Sequence, residues 1–177
     1  GSSGSSQLYR RSGEAALEIN SDGAGAWASP NASQTFSADG GDIFRMEGYM
    51  LNPVGTPVSG ASFGLFKIEF RDESGSVLEP ASVAVGNQAS APYYGAESSP
   101  RLDAAAPADL WQFSAVTATA PQGTVEVGFY VLNVNQPGYT GPMYYDDLEA
   151  RLIGDPTVLM DASQGDGMVR LRFPSEE

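Results

Sequence analysis

Cysteine and histidine are both absent from this 177-residue chain. Without cysteine there is no disulfide and no thiolate metal site, and the redox compartment leaves no trace. Without histidine the commonest general base is gone, and with it the Ser–His and Cys–His nucleophile pairs. Positive charge is scarce too: nine Lys and Arg against 22 Asp and Glu give a formal net charge of −13. Such a field repels a phosphate backbone, which argues against nucleic-acid partners. It suits a saline or extracellular medium and offers carboxylates to cations. No apolar run approaches the ~18 residues that a membrane span needs, and no signal peptide is visible. The expectation is a mature exported protein, secreted or on a cell surface of bacterial type, or an excised module of a larger multidomain one.

What is present is punctuation and alternation. The 21 glycines and 12 prolines are scattered between short runs rich in Val, Phe, Tyr and Thr, which reads as strands joined by turns. The runs are 14–19, 25–30, 33–38, 43–52, 62–72, 76–79, 110–119, 124–134 and 143–153, and none carries an apolar stripe of helical period. Within them, period-2 alternation puts Phe44, Met46 and Met50 on one face against Arg45, Glu47 and Tyr49. It likewise opposes Phe66, Ile68 and Phe70 to Lys67, Glu69 and Arg71, and Val125, Val127, Phe129 and Val131 to Glu126, Gly128, Tyr130 and Leu132. The predicted fold is all-β, an antiparallel sandwich with one sheet's outer face free for contact. "GSSGSS" at 1–6 reads as a vector-derived remnant, 7–154 as the module, and 155–177 as extra strands that complete it or lead to a neighbour. The long 81–107 segment, rich in Ala, Ser, Pro and Gly, reads as a functional or disordered loop.

Three groups of residues could carry function. The charged face of the strands pools Arg45, Glu47, Tyr49, Lys67, Glu69, Arg71, Glu126 and Tyr130. Sugars are held by stacking on rings and by bidentate polar groups, and this face has both; equally, it could be a solvated sheet with cross-strand ion pairs worth ~0.2–1 kcal/mol each. The loop aromatics Trp27, Tyr93, Tyr94 and Tyr139 are the second group, since exposed rings on loops often mark contacts. Trp111 is expected in the core or at its edge. The third is the pair Asp146 and Asp147. Alternation turns Asp146 inward with Leu148 and Leu152, where a carboxylate needs a partner: either a hard cation, or backbone N–H groups or an arginine. The acidic turns at 20–25, 37–42 and 163–167 lack the spacing of a calcium loop.

From Ser12 to Leu152 the order of features resembles the CenC-type carbohydrate-binding modules, which are jelly-roll sandwiches of the galactose-binding-like group. The matching stretches are "SGEAALEI", "WASPNASQTFSADGGDIFRMEGYMLN", "FKIEFRDESGSVL", "LWQFSAVTATAPQGTVEVGFYV" and "YYDDLEARL". The resemblance implies a non-catalytic module that binds a polysaccharide and holds a structural Ca2+. It places that ion on Asp146, or on Asp147, with a carbonyl around Glu14. Such modules begin with an "N-GFE"-like strand whose glutamate helps to hold the metal, and "QLYRR" at 7–11 does not match it. Either that strand is lost, or the C-terminal strands take its place.

With cations on the charged face, the polysaccharide could be anionic. Two other functions remain open. An adhesive module would bind protein instead. A polysaccharide lyase would use Tyr130 as base beside Arg45, Lys67 or Arg71, and a glycosidase would use two of Glu47, Glu69 and Glu126.

Overall fold

Side chains that alternate between apolar and polar bury one face of an extended segment, and glycines and prolines end each segment before a helix can start. Every regular element among the described residues is accordingly a strand. The computed structural model describes residues 2–21, 23, 29 and 31–153, and the backbone of 159–161 and 170–172. Trp27, the rest of the 25–30 run apart from residue 29, and the 163–167 turn lie outside the described residues.

The strands are β1 (Ser2–Ser6), β2 (Ala16–Asn20), β3 (Asn31–Ser37), β4 (Ile43–Leu51), β5 (Phe63–Arg71), β6 (Val77–Leu78) and β7 (Ser82–Val85). They continue as β8 (Asn87–Gln88), β9 (Ala96–Glu97), β10 (Trp111–Thr119), β11 (Glu126–Val134), β12 (Pro142–Leu152), β13 (Leu159–Asp161) and β14 (Arg170–Arg172). The first sheet runs β1-β2-β12-β4-β10-β7, with β13 on β12 and β14 on β13. The second runs β3-β11-β5-β9-β8, with β6 on β5. All strand pairs are antiparallel. The expected all-β sandwich is what forms.

Its core lies between the sheets. Phe44, Met46 and Met50 of β4 meet Phe66, Ile68 and Phe70 of β5 and Val127, Phe129 and Val131 of β11. Phe44 reaches across edge-on to Phe129, ring centroids 5.9 Å apart. Tyr145 is fully enclosed, and its hydroxyl donates to the Leu132 carbonyl at 2.8 Å. Tyr139, expected as an exposed loop ring, belongs to this core. Trp111 sits half-buried at the start of β10.

Two segments carry strands that alternation did not signal. The 81–107 stretch is not a loose loop: β7 extends the first sheet, and β8 and β9 extend the second. The crossing between them turns at Gly86, whose φ is +96° and where a Cβ would lie 2.2 Å from the Glu97 carbonyl oxygen, so only glycine fits. Residues 2–6, set aside above, form β1 and pair with β2 from Ser2↔Asn20 to Ser6↔Ala16. Backbone ladders do not need patterned side chains.

Burial leaves a mark on three buried tyrosines, Tyr139 and Tyr145 in the core and Tyr144 on the other side of β12. It pushes the Tyr139 and Tyr144 hydroxyls up to about 12, and that of fully buried Tyr145 well above 10. A group whose pKa is raised by folding stabilises the fold while it stays protonated. Stability is therefore expected to hold below about pH 10 and to fall as pH rises toward 12; melts across that range, beside tyrosinate absorbance, test it. Ionisation before unfolding would contradict it.

Candidate functional site

The strand register divides the charged face foreseen above into two. Arg45, Glu47 and Tyr49 lie on β4 in the first sheet, while Lys67, Glu69, Arg71, Glu126 and Tyr130 lie on β5 and β11 in the second. Their side chains point to opposite sides of the sandwich, so the eight do not make one site. Alternation reads inward from outward but carries no information about which sheet a strand joins.

The second sheet's outer face is the richer of the two. Directly opposed residues of antiparallel strands share a face, so the register spells out its rows. One row is Ser33, Tyr130, Lys67 and Glu97; the next is Thr35, Gly128 and Glu69; the third is Ser37, Glu126 and Arg71. Along β5 the outward positions run from Phe63 to Arg71, about 26 Å at the usual rise per residue. The Tyr130 ring lies across Gly128: a Cβ there would stand 2.7 Å from the ring. Arg71 donates to Tyr130 Oη at 2.5 Å and to Glu69 at 2.9 Å, and it reaches Glu126 at 3.5 Å. Lys67 Nζ donates to Glu69 at 2.7 Å and to the Tyr93 carbonyl at 2.8 Å. That second bond ties the 89–95 turn to the sheet. At the Phe63 end, Arg101 pairs with Glu97 and stacks its guanidinium 4.3 Å from the Phe63 ring centroid. Beside them is a cavity of about 410 Å³ lined by Gly60–Phe63, Arg101 and Asp103–Ala105.

Every cation named on this face has a carboxylate partner. Lys67, Arg71 and Arg101 balance Glu69, Glu126 and Glu97. Burial and the nearby Glu69 charge raise the Tyr130 hydroxyl above its ordinary value, although Arg71 opposes them. Of the loop tyrosines, Tyr93 is 73% exposed, whereas Tyr94 is partly covered. Sequence reasoning missed Ser33, Thr35, Glu97, Arg101 and Phe63, because only the register, the β9 pairing and the contacts of Arg101 bring them here; Gly128 it placed on this face without a role.

The first sheet's outer face is partly covered. Its row of Tyr49, Asp146 and Phe113 holds an edge-on pair, Tyr49–Phe113, with centroids 5.4 Å apart. Arg11 stacks over the Tyr49 ring at 3.6 Å, and Tyr9 packs on Tyr144 at 4.5 Å. Beyond them, Arg45 binds Glu47 and Thr117, and Arg151 reaches Glu47 and Glu149. A segment of chain, 9–12, thus lies across one end of this face.

The two aspartates sit differently from the expectation. Asp146 is not on the core side but opposite Tyr49 on the outer face, and the register then shifts between Asp146 and Glu149. Asp147, with φ +50°, is the bulged residue. The bulge resets alternation, so Leu148 and Ala150 point inward while Glu149 and Arg151 point out. Asp146 is only 3% exposed because the 9–12 segment covers it. Its Oδ2 accepts the N–H groups of Arg11 at 2.6 Å and Ser12 at 3.1 Å, and its Oδ1 accepts that of Asp147 at 2.8 Å. Asp147 accepts from the Ser12 hydroxyl and pairs with Arg11 Nη1. The Glu14 carbonyl accepts Arg10 Nη1 at 3.3 Å. Calcium takes about six to eight oxygen ligands. Here N–H groups, a hydroxyl and a guanidinium converge on the carboxylates, so this arrangement does not fit the ion.

No family model and no curated protein matches the sequence. Solved structures do match the fold. The CBM22-1 xylan-binding domain of Paenibacillus barcinonensis Xyn10C superposes with a TM-score of 0.54 at 15% identity, over 87% of this chain and 82% of that one. The CBM22-1–GH10 modules of Clostridium thermocellum Xyn10B, complexed with xylohexaose, give 0.53 at 10% identity over 86% of this chain. The enzymatically active domain of bacteriophage CBA120 tailspike protein 4 gives 0.52 at 17% identity, again over 86%. This chain spans 25% of the Xyn10B chain and 17% of the tailspike chain. At such identities the likeness is one of fold: the chain has the two-sheet antiparallel sandwich found in carbohydrate-binding modules.

Proposed function

We propose that this chain is a non-catalytic carbohydrate-binding module that holds a neutral polysaccharide along the outer face of its second sheet. The observation that carries this reading is the Tyr130 ring laid over Gly128 and flanked by Arg71, Glu69 and Glu126. A ring lying on the sheet gives a sugar a face to stack on. Charged groups fixed in a network present bidentate donors and acceptors at little further cost in side-chain entropy. The hydroxyls of Ser33 and Thr35 line the exposed edge beside it. The fold shared with the xylan-binding domain supports the same reading.

The pairing of Lys67, Arg71 and Arg101 with carboxylates favours a neutral chain over the anionic one considered above. A lyase base would need a tyrosine that gives up its proton readily, and Tyr130 is shifted the other way. A glycan array, followed by affinity electrophoresis in xylan, in a neutral glucan and in a polyuronate, tests the proposal. Neutral polysaccharide is expected to retard the protein with little dependence on salt. Retardation by the polyuronate alone would favour the anionic reading, and none at all would favour the adhesive module.

Gly128→Ala separates this site from general stability. The new methyl collides with the Tyr130 ring and must lift it. Affinity for the retained glycan is expected to fall about three- to tenfold, since stacking contributes roughly 0.5–1.5 kcal/mol. Binding unchanged in titration calorimetry would show that the ring's position does not matter.

A further inference from the structure

We infer that Arg11 is the built-in counter-cation of the Asp146–Asp147 bulge, standing where sandwiches of this kind are expected to carry a metal ion. Two adjacent carboxylates at a bulge repel one another, and one of them is 3% exposed. Removing them from water is tolerable only if their charge is met nearby. Their charge is met in two ways. Three backbone N–H groups, from Arg11, Ser12 and Asp147, converge on Asp146. The Arg11 guanidinium and the Ser12 hydroxyl take the two oxygens of Asp147.

The edge of β12 explains why the opening exists. β2 pairs with it from Pro142 to Tyr145, and β13 pairs with it from Glu149 to Arg151. Among the described residues no strand pairs with Asp146–Leu148 between them on that edge, and the N–H groups of Arg11 and Ser12 reach the Asp146 carboxylate beside it. Arg11 is fixed from above as well as below, since its guanidinium lies over Tyr49. A planar guanidinium suits both contacts, whereas an ammonium would make only one well. The result is a latch joining residues 11–12 to residues 146–147, and it covers the ring of Tyr49. One consequence is that the first sheet's face is closed at this end, whatever binds to the second.

Thermal melts of the whole chain, with millimolar Ca2+ and with EDTA, test the assignment directly. The Tm of the unaltered protein is expected to stay the same in both. Arg11→Ala is expected to lower Tm by about 5 °C, and added Ca2+ should then raise the Tm of that variant, because the carboxylates would be left without their cation. Arg11→Lys should fall between the two. A Tm of the unaltered protein that rises with Ca2+ and falls with EDTA would overturn the inference, as would an Arg11→Ala protein with unaltered Tm or with no response to Ca2+. Should Arg11→Ala fail to fold, elemental analysis of the unaltered protein decides: no bound calcium is expected, and one calcium per chain would overturn the assignment.

Discussion

Tyr145→Ala is expected to destabilise the fold by about 4–5 kcal/mol, a large share of the ~5–15 kcal/mol that holds a domain together. Tyr145 is fully buried and lies at the meeting of the two sheets. Its ring packs against Phe66, centroids 6.1 Å apart, and its hydroxyl donates to the Leu132 carbonyl at 2.8 Å. Alanine would leave a cavity bounded by both sheets, which cannot collapse without breaking one ladder, and it would orphan that carbonyl. In a chain of this length such a loss lowers Tm by roughly 10–15 °C. Tyr145→Phe removes only the hydrogen bond and should cost about 1 kcal/mol. Denaturant unfolding of the two variants measures both values. Similar losses for Ala and Phe would mean that the hydroxyl, not the ring, carries the effect.

Lys67→Ala should come next, at about 2–3 kcal/mol. Lys67 is 7% exposed, which is rare for a lysine. Its ammonium is shared between Glu69 and the Tyr93 carbonyl. Removing one member of a buried pair costs about 3–5 kcal/mol; the lower figure applies here because Glu69 keeps Arg71 at 2.9 Å. Lys67→Met, which retains much of the apolar stem, separates packing from charge. It is expected to remain well below the unaltered protein in urea unfolding. The 89–95 turn loses its tether in both variants, so faster amide exchange at Tyr93 and Tyr94 should accompany the loss. A Met variant as stable as the parent would show that the ion pair contributes nothing.

Much of this architecture could be read in the sequence, and the reasons are physical. Alternation in 43–52, 62–72 and 124–134 named core residues such as Phe44, Phe66 and Phe129 correctly, because an antiparallel sheet with one buried face imposes period 2 on its side chains; Val125, read as inward with them, precedes β11 and is 40% exposed. The same signal is silent on pairing. Tyr49 and Tyr130 look alike in their strands, yet one lies under Arg11 and the other on Gly128 across the sandwich. A single bulged residue reversed the reading of Asp146, since no glycine or proline announces Asp147 as the point where the alternation slips. Strands of two to four residues such as β7, β8 and β9 are too short for a pattern to appear. They pair because neighbours hold them there. Of the aspartates' two foreseen partners, N–H groups with an arginine describe the observed arrangement.

The most direct test of where sugar is held is a 15N NMR titration of the whole chain with a neutral xylo-oligosaccharide. Amides of β3, β5 and β11 around Ser33, Lys67 and Tyr130 are expected to shift together and saturate, while those of β4 and β10 around Tyr49 and Phe113 stay in place. Saturable shifts confined to the first sheet, or none on the second with any neutral glycan that the protein retains, would contradict the assignment of the second sheet's face as the binding surface.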